Sequence, residues 1–206
     1  MTISLAALRN TLILLAISAV AGCGALGNVT EAAAPTAAFT LSPVAADQVA
    51  SGSRHLVVRE ATAAGALMTD RILVKPNRLQ AEYLADGRWS DPAPLLVQTL
   101  MVQSLQNAGG FGLVGRNDDG LLPDYSLLID LRDFQAEVAA DGSVQVRVGM
   151  ILTMVWEADR RIAGTRRFES VVAAQSDGTS DIVAAFDAAL SQTLAEGVAW
   201  TLSQGR

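Results

Sequence analysis

Residues 124–137 read DYSLLIDLRDFQAE, and residues 144–157 read VQVRVGMILTMVWE. Apolar side chains occupy every second position from Tyr125 to Leu131, and again from Val144 to Leu152. An alternation of this length predicts two long strands, each with one buried face. Asp141-Gly142 between them is a strong signal for the turn of a hairpin. These two stretches are the centre of the predicted fold.

A third strand and a helix are predicted C-terminal to this hairpin. Asp159-Arg160-Arg161 closes a second hairpin, and Ile162 to Ala174 returns as the third strand. Ser180-Asp181 then provides side chains that favour the start of a helix. An apolar stripe follows at every fourth position: Ile182, Phe186, Leu190, Leu194 and Val198. We expect this stripe to pack on the sheet.

The sequence of the N-terminal half predicts shorter strands and one helix. Strands are predicted at 38–43, 55–60, 71–75 and 79–83, followed by a turn at Asp86-Gly87. From Pro94 to Ala108 the apolar residues recur at helical spacing, and Gly109-Gly110 suits the end of that helix. A further short strand is predicted at 111–114.

The resulting order, β-β-β-β-α-β-β-β-β-α, predicts the α/β fold class in its α+β form. We expect a mixed, largely antiparallel sheet covered by two main amphipathic helices, because each helix must bury its apolar stripe on a sheet face. Residues 38–206 are long enough to form a single domain with a sizeable core.

Cys23, the only cysteine of the chain, follows Val20-Ala21-Gly22 at the end of an apolar run. Arg9, the apolar stretch Thr11 to Gly22 and the small residues before the cysteine are typical of a secretory signal peptide. The stretch is shorter than the roughly 20 residues that a membrane span needs. Val-Ala-Gly-Cys resembles the bacterial lipobox, in which the cysteine is acylated and the chain is cut before it. The alternative is an ordinary signal peptide with an incidental cysteine.

The N-terminal region therefore divides into two predicted parts. Residues 1–22 are predicted to be a lipoprotein signal peptide, and residues 23–37 a flexible tether that starts at lipidated Cys23. The tether prediction rests on the small, aperiodic residues after the cysteine. More than one acyl chain on Cys23 would make a durable membrane anchor.

Charge and motif content exclude several functions. The formal net charge of −6 at pH 7, without basic clusters, argues against nucleic acid and against electrostatic attachment to anionic lipids. The sequence has no Gly-x-Ser-x-Gly motif. Its single histidine, His55, cannot form a zinc site or a Cys-His pair with an acylated cysteine. The turn Asn117-Asp-Asp-Gly120 lacks the further acidic ligands of a calcium loop. We expect no enzyme activity, no metal and no cofactor, and a solvated His55 at the start of a strand.

The segment Arg88-Trp-Ser-Asp-Pro92 stands directly before the first predicted helix. Trp89 can fill the core or belong to a subunit interface, where Trp and Arg are enriched. We interpret Trp89 as a core residue and expect Arg88 nearer the surface, where it could pair with a partner subunit. Both are candidate interaction residues.

Several segments, taken in order, resemble the auxiliary lipoproteins of ABC-type transporters, a family that includes paraquat-inducible protein C. They are Phe39–Pro43, Arg71–Val74, Arg88–Pro92, Phe111–Val114, Asp124–Leu128, Phe134, Arg167-Phe168 and Ala184–Leu190. The resemblance covers nearly the whole mature chain. It implies a mixed α/β fold and a role outside catalysis, because the family has no catalytic residues to carry over.

The same resemblance implies a lipid-anchored component of an intermembrane lipid transport system, on the periplasmic side of the outer membrane. Gly24 in place of an aspartate after Cys23 favours the outer membrane by the sorting rule of similar lipoproteins. The implied partners are a protein with mammalian cell entry (MCE) domains, an ABC permease and ATPase, the lipid bilayer, and further copies in a homo-oligomeric ring. Two other classes stay open: a stand-alone carrier of lipids or small molecules, and a lipoprotein activator of cell-wall synthesis.

Overall fold

The structure is a computed structural model, and it describes residues 36–45, 52–116 and 122–205. The described residues form strands β1 (Ala37–Phe39), β2 (His55–Val58), β3 (Thr62–Ala63), β4 (Arg71–Lys75), β5 (Glu82–Trp89), β6 (Leu113–Arg116), β7 (Tyr125–Val138), β8 (Val144–Trp156) and β9 (Arg161–Ala173). The helices are α1 (Ala93–Ala108) and α2 (Thr179–Gln204), with a short 3₁₀ turn at Gly65–Leu67. One mixed sheet with two helices confirms the predicted fold class.

Strand β7 is the centre of the sheet. On one side it pairs antiparallel with β8 over its whole length, and β8 pairs antiparallel with β9. On its other side lie β2, β3 and β4 in succession, all parallel to β7. Strand β2 also pairs in parallel with β6. Strand β4 pairs antiparallel with β5, and β5 pairs in parallel with β1. The long pairings are thus antiparallel and most of the short ones parallel.

The pairing register defines two ends of this sheet. Lys75 pairs with Glu137, so the β4–β5 loop (76–81) and the β7–β8 turn (139–143) lie together; we call this the hairpin end. Tyr125 pairs with Trp156, so the β8–β9 turn (157–160) and residues 122–124 lie at the opposite end, which we call the far end. A strand of the length of β7 separates the two by roughly 45 Å at about 3.3 Å per residue.

Both helices pack on one face of the sheet. The inward residues of β8 are Val144, Val146, Val148, Met150, Leu152 and Met154, all buried. Helix α2 lies against them so closely that a Cβ added at Gly197 would come within 2.9 Å of Leu152 Cδ1. Helix α1 packs beside it, with Met101 fully buried. The apolar stripe predicted for α2 is buried as expected.

Helix α2 is also long and apolar enough to cross a membrane by length and composition, with a mean hydropathy of 1.2. Half of its most apolar window is buried inside the domain. Because α2 packs on β8 and β9, its apolar character is that of a core helix of this domain.

Several boundaries differ from those predicted. Asp86-Gly87 lies inside β5 and is not a turn, so the predicted strand at 79–83 begins later and runs on to Trp89. A Cβ at Gly87 would lie 2.9 Å from Thr179 Cγ2 and 3.0 Å from Phe39 Cε2. Glycine is there because β1 and the start of α2 approach the strand closely. The prediction of a turn was therefore wrong, because Gly87 is required by close packing in the folded domain and not by a turn.

The other differences are smaller. The first strand covers only Ala37–Phe39, β6 is displaced toward the C-terminus, and the two-residue β3 was not predicted. Helix α2 begins at Thr179 after Gly178. The predictions made for residues 1–22, for Cys23, for Gly24 and for the turn Asn117–Gly120 lie outside the described residues. So does the predicted tether up to residue 35, whereas Ala37, its predicted last residue, begins β1.

Candidate interaction surfaces

Trp89 lies at the centre of an aromatic cluster beneath the helices. Its side chain is fully buried. The ring centroid lies 5.0 Å from that of Phe186 in α2, edge to face, and 5.5 Å from that of Phe134 in β7. Phe134 and Phe186 are themselves 5.0 Å apart. Trp89 therefore joins β5, β7 and α2, which agrees with its interpretation as a core residue.

Arg88, the neighbouring residue, points outward. Its Nη1 donates to Asp70 Oδ2 at 3.1 Å, and its side chain remains 50% exposed. The surrounding backbone is fixed, because Trp89 N–H donates to the Asp70 carbonyl at 2.6 Å and Ser90 N–H to the Phe39 carbonyl at 2.7 Å. Arg88 thus extends from a hydrogen-bonded backbone, with its guanidinium on the surface beside Asp70.

The N-terminal segment of the domain is held beside this position. Ala38 pairs with Arg88 in the parallel β1–β5 ladder. Just after β1, the Ser42 N–H donates to Asp187 Oδ1 in α2 at 2.7 Å, and the Val44 N–H donates to Ser104 Oγ in α1 at 2.9 Å. The start of the domain is therefore bonded to the sheet and to both helices.

A charged network occupies the face of β7–β9 opposite the helices. Arg147 Nε and Nη2 donate to the two carboxylate oxygens of Glu137 at 3.0 and 3.2 Å, and Arg147 also pairs with Glu169. Arg167 Nη2 donates to Glu169 Oε2 at 2.7 Å and lies 3.4 Å from Asp133 Oδ2. We call Asp133, Glu137, Arg147, Arg167 and Glu169 the sheet-face network.

This network shifts the ionisation of its members. Burial raises the pKa of Glu137, but hydrogen bonds from Arg147 and Gln135 and the charge of Arg147 outweigh it and hold the pKa below its ordinary value of 4.5. Hydrogen bonding to Arg147 likewise lowers the pKa of Glu169. The carboxylates in turn raise the pKa of Arg147. Glu137, Arg147 and Glu169 are therefore ionised at neutral pH.

The far end carries a smaller polar cluster. Hydrogen bonding to Ser126 and pairing with Arg59 lower the pKa of Glu157. Beside it, the Arg54 guanidinium lies 5.1 Å from the Trp156 ring centroid and donates to the Tyr125 hydroxyl. Trp156 is half-buried and packs against the core.

An open groove of about 730 Å³ lies at the hairpin end. It is lined by Lys75, Pro76, Asn77 and Arg78 of the β4–β5 loop and by residues of the β7–β8 hairpin, including Glu137 and Arg147. Leu79 projects from the same loop and is 97% exposed. The groove is shallow and partly charged, which suits contact with a polar surface better than enclosure of an apolar molecule.

The described residues contain few side chains suited to binding a metal ion. Among residues 36–45, 52–116 and 122–205 no group of three or more His, Cys, Asp or Glu could hold a metal ion. His55 is exposed at the start of β2, as predicted, and its backbone N–H donates to Asp124 Oδ2 at 2.7 Å. Asp124 therefore supports the β2–β7 junction.

Sequence reasoning did not find the sheet-face network. A usable signal was present, because Glu137, Arg147, Arg167 and Glu169 lie on the polar side of the strand alternation. Only the register that places Gln135 opposite Arg147, and Gly149 opposite Glu169, brings these charges together.

The described residues therefore form an α+β domain in which two helices cover one face of a mixed sheet. Within that class, the chain belongs to the family of ABC-type transport auxiliary lipoprotein components, whose model matches residues 39–198. The family predicted from the short segments is confirmed.

Three similar proteins show how much of the chain is matched in sequence or in structure. Uncharacterized protein bll6063 of Bradyrhizobium diazoefficiens is 32% identical over 150 residues, 73% of this chain and 40% of that protein. The chain thus spans less than half the length of that relative. Protein XCC0632 from Xanthomonas campestris is similar in structure with a TM-score of 0.71 and 26% identity, over 82% of this chain and 94% of that one. A solved uncharacterized protein matches with a TM-score of 0.57 and 19% identity, over 81% and 99% of the two chains, and shows the fold alone.

Proposed function

We propose that this chain is a non-enzymatic lipoprotein, anchored through Cys23 to the outer membrane, that docks an MCE-type intermembrane lipid transport route fed by an ABC permease and ATPase. The observation that carries the proposal is the family match across residues 39–198. The Val20-Ala21-Gly22-Cys23 sequence supports the anchor. The open, polar surfaces of the domain support a docking role over catalysis.

The anchor is tested on the mature N-terminus. We expect mass spectrometry of the full chain, purified from membranes, to find Cys23 as the first residue with acyl mass attached. Cys23→Ser is expected to leave unprocessed precursor and to abolish outer-membrane fractionation, because the acceptor thiol is lost. An unacylated N-terminus downstream of Cys23 in the wild-type protein would end the lipoprotein proposal.

The docking role is tested by co-purification. A protein with MCE domains from the same organism should be recovered with the detergent-solubilised full chain. Genes for an ATPase, a permease and an MCE protein beside the gene for this chain would agree with the role. Stable complexes that contain only cell-wall synthases would favour the activator class instead.

The packing of the domain does not favour the carrier class. A carrier would hold its ligand between the sheet and the helices, where Trp89, Met101 and Leu152 are fully buried. At Gly197 the helix contacts the sheet directly, because an added Cβ would come within 2.9 Å of Leu152 Cδ1.

We further propose that copies of the chain associate through Arg88. Arg88→Ala is expected to reduce the fraction of assembled protein in native mass spectrometry, since it removes an exposed guanidinium. Arg132→Ala is a matched control: Arg132 is 55% exposed and pairs with Asp130, much as Arg88 is 50% exposed and pairs with Asp70. Equal effects of the two substitutions would remove Arg88 from the interface.

A further inference from the structure

The direction of β1 determines which end of the sheet its first residue faces. Ala37, Ala38 and Phe39 pair in parallel with Gly87, Arg88 and Trp89. A strand parallel to β5 begins on the side where β5 begins, and β5 begins at Glu82, directly after the β4–β5 loop. The first residue of β1 therefore faces the hairpin end, from a position beside Gly87 in the second half of β5.

Chain length then limits the distance to the proposed anchor. Cys23 precedes Ala37 by fourteen residues. Whatever conformation they adopt, that many residues span at most roughly 50 Å. The far end lies about a further strand length away from the hairpin end. The hairpin end is thus the part of the domain that comes to the anchoring membrane with the least extension of the chain.

The loop at this end is built to present one apolar side chain. Asn77 Oδ1 accepts hydrogen bonds from the backbone N–H groups of Leu79 at 2.9 Å and Gln80 at 3.1 Å, and Asn77 also bonds to the Gln80 side chain. Pro76 restricts the backbone just before Asn77. This turn holds Leu79 outward with 97% of its surface exposed.

The surroundings of Leu79 suit a phospholipid surface. Lys75 and Arg78 flank the loop, and both line the groove at its base. The nearby Glu137 pairs with Arg147, which it shares with Glu169. Exposed Glu82 and Asp141 also lie at this end, so the cations act on lipid only where they flank the loop tip. An apolar tip with flanking cations is the side-chain pattern that binds the interface of a membrane. A single exposed leucine is ordinary on a protein surface; its position at the anchor side, on a fixed loop between cations, is what distinguishes this one.

We propose that the β4–β5 loop is a second membrane contact, in which Leu79 enters the interface of the bilayer that holds the acylated Cys23 while Lys75 and Arg78 approach lipid phosphates. This inference rests on the proposed anchor. The acyl chains supply the attachment, and the loop sets the orientation, with the sheet standing on its hairpin end. The net charge of −6 is compatible with this role because the contact is local.

The test uses the full chain with its native lipid anchor. Because Cys23 is the only cysteine and would be acylated, Leu79→Cys introduces the sole free thiol, which is labelled with a polarity-sensitive fluorophore. Leu122→Cys is the matched control, since Leu122 is 92% exposed but lies at the far end. Each protein is reconstituted in vesicles of phosphatidylethanolamine and phosphatidylglycerol, and flotation reports the anchor.

We expect the label at position 79 to shift to the blue and to lose intensity when the lipids carry a spin-label quencher. The label at position 122 should keep its aqueous emission. Vesicles that float while both labels remain aqueous, or while only position 122 is quenched, overturn the loop contact and leave the anchor intact. Failure to float overturns the anchor, and this inference with it. Neither leucine is buried, so equal unfolding midpoints confirm that both variants are folded.

Discussion

At the scale of single residues, Trp89 and Arg88 show how adjacent side chains divide two tasks. The strand places Trp89 inward, where its ring touches Phe134 and Phe186, and Arg88 outward beside Asp70. Alternation along β5 is the cause, because successive side chains of a strand point to opposite faces. Arg88 and Trp89 are adjacent in the sequence, but in the fold one belongs to the surface and the other to the core.

The burial of Trp89 leads to a stability prediction. Trp89→Ala should lower the free energy of unfolding by about 3–5 kcal/mol, because it leaves a cavity shared by β5, β7 and α2. Urea unfolding followed by circular dichroism measures the change. Trp200→Ala is the comparison, since Trp200 is only half-buried and should cost less. An unchanged unfolding midpoint combined with lost assembly would show that Trp89 serves an interface instead.

At the scale of elements, the sheet-face network joins β7, β8 and β9 by charge. In the folded protein the pKa values of Glu137 and Glu169 lie below 4.5, so the unfolded chain binds more protons as the pH falls toward and below that value. The stability from these pairs is present above the unfolded pKa and is lost as the pH falls through the folded pKa. Both carboxylates are partly exposed, so each contributes less than about 1 kcal/mol.

The lowered pKa values of Glu137 and Glu169 predict how stability depends on pH. Thermal unfolding of the wild-type protein between about pH 6 and about pH 3 should show falling stability. Glu137→Gln should be less stable than the wild-type protein at neutral pH, and the difference should shrink in acid. Glu60→Gln, at an exposed position outside the network, is the control. A difference between wild type and Glu137→Gln that stays constant with pH would contradict the assignment.

The long elements were predictable from sequence and the short ones only in part. The alternation in β7 and β8 and the stripe in α2 each repeat often enough to fix type and buried face. Strands β2, β3 and β4 are too short to specify their neighbours, and their parallel order along β7 depends on tertiary packing. Gly87 resembles a turn residue until Phe39 and Thr179 are brought beside it.

At the scale of the whole molecule, the two ends of the sheet take different surroundings under the proposed orientation. If the hairpin end stands on the membrane, the far end faces the periplasm, where an MCE protein would arrive. Leu122, 92% exposed, and Ile162, 61% exposed, are apolar side chains at that end. They are the natural contacts for a partner there.

A paired substitution tests this division. We expect Leu122→Asp with Ile162→Asp to reduce co-purification of the MCE protein and to leave membrane flotation unchanged. Leu79→Asp should keep the anchored protein competent for that partner but weaken the contact of its loop with lipid. Leu79 and Leu122 are almost fully exposed, so their replacement should leave the unfolding midpoint unchanged. Ile162 lies in β9, where aspartate is disfavoured, so Ile162→Asp should lower the midpoint slightly. Loss of the partner with Leu79→Asp alone would reverse the assignment of the two ends.

The parallel pairing of β1 with β5 also has a mechanical meaning. If Cys23 is anchored as proposed, a pull on Ala37 toward the hairpin end would act along the axis of β1. Its hydrogen bonds to β5 would then be loaded in shear and would have to break together. The bonds from Ser42 to Asp187 and from Val44 to Ser104 would then pass the load to both helices. An antiparallel first strand would be peeled away one bond at a time. Under the proposed anchor, the parallel pairing of β1 with β5 would therefore resist tension better than an antiparallel one.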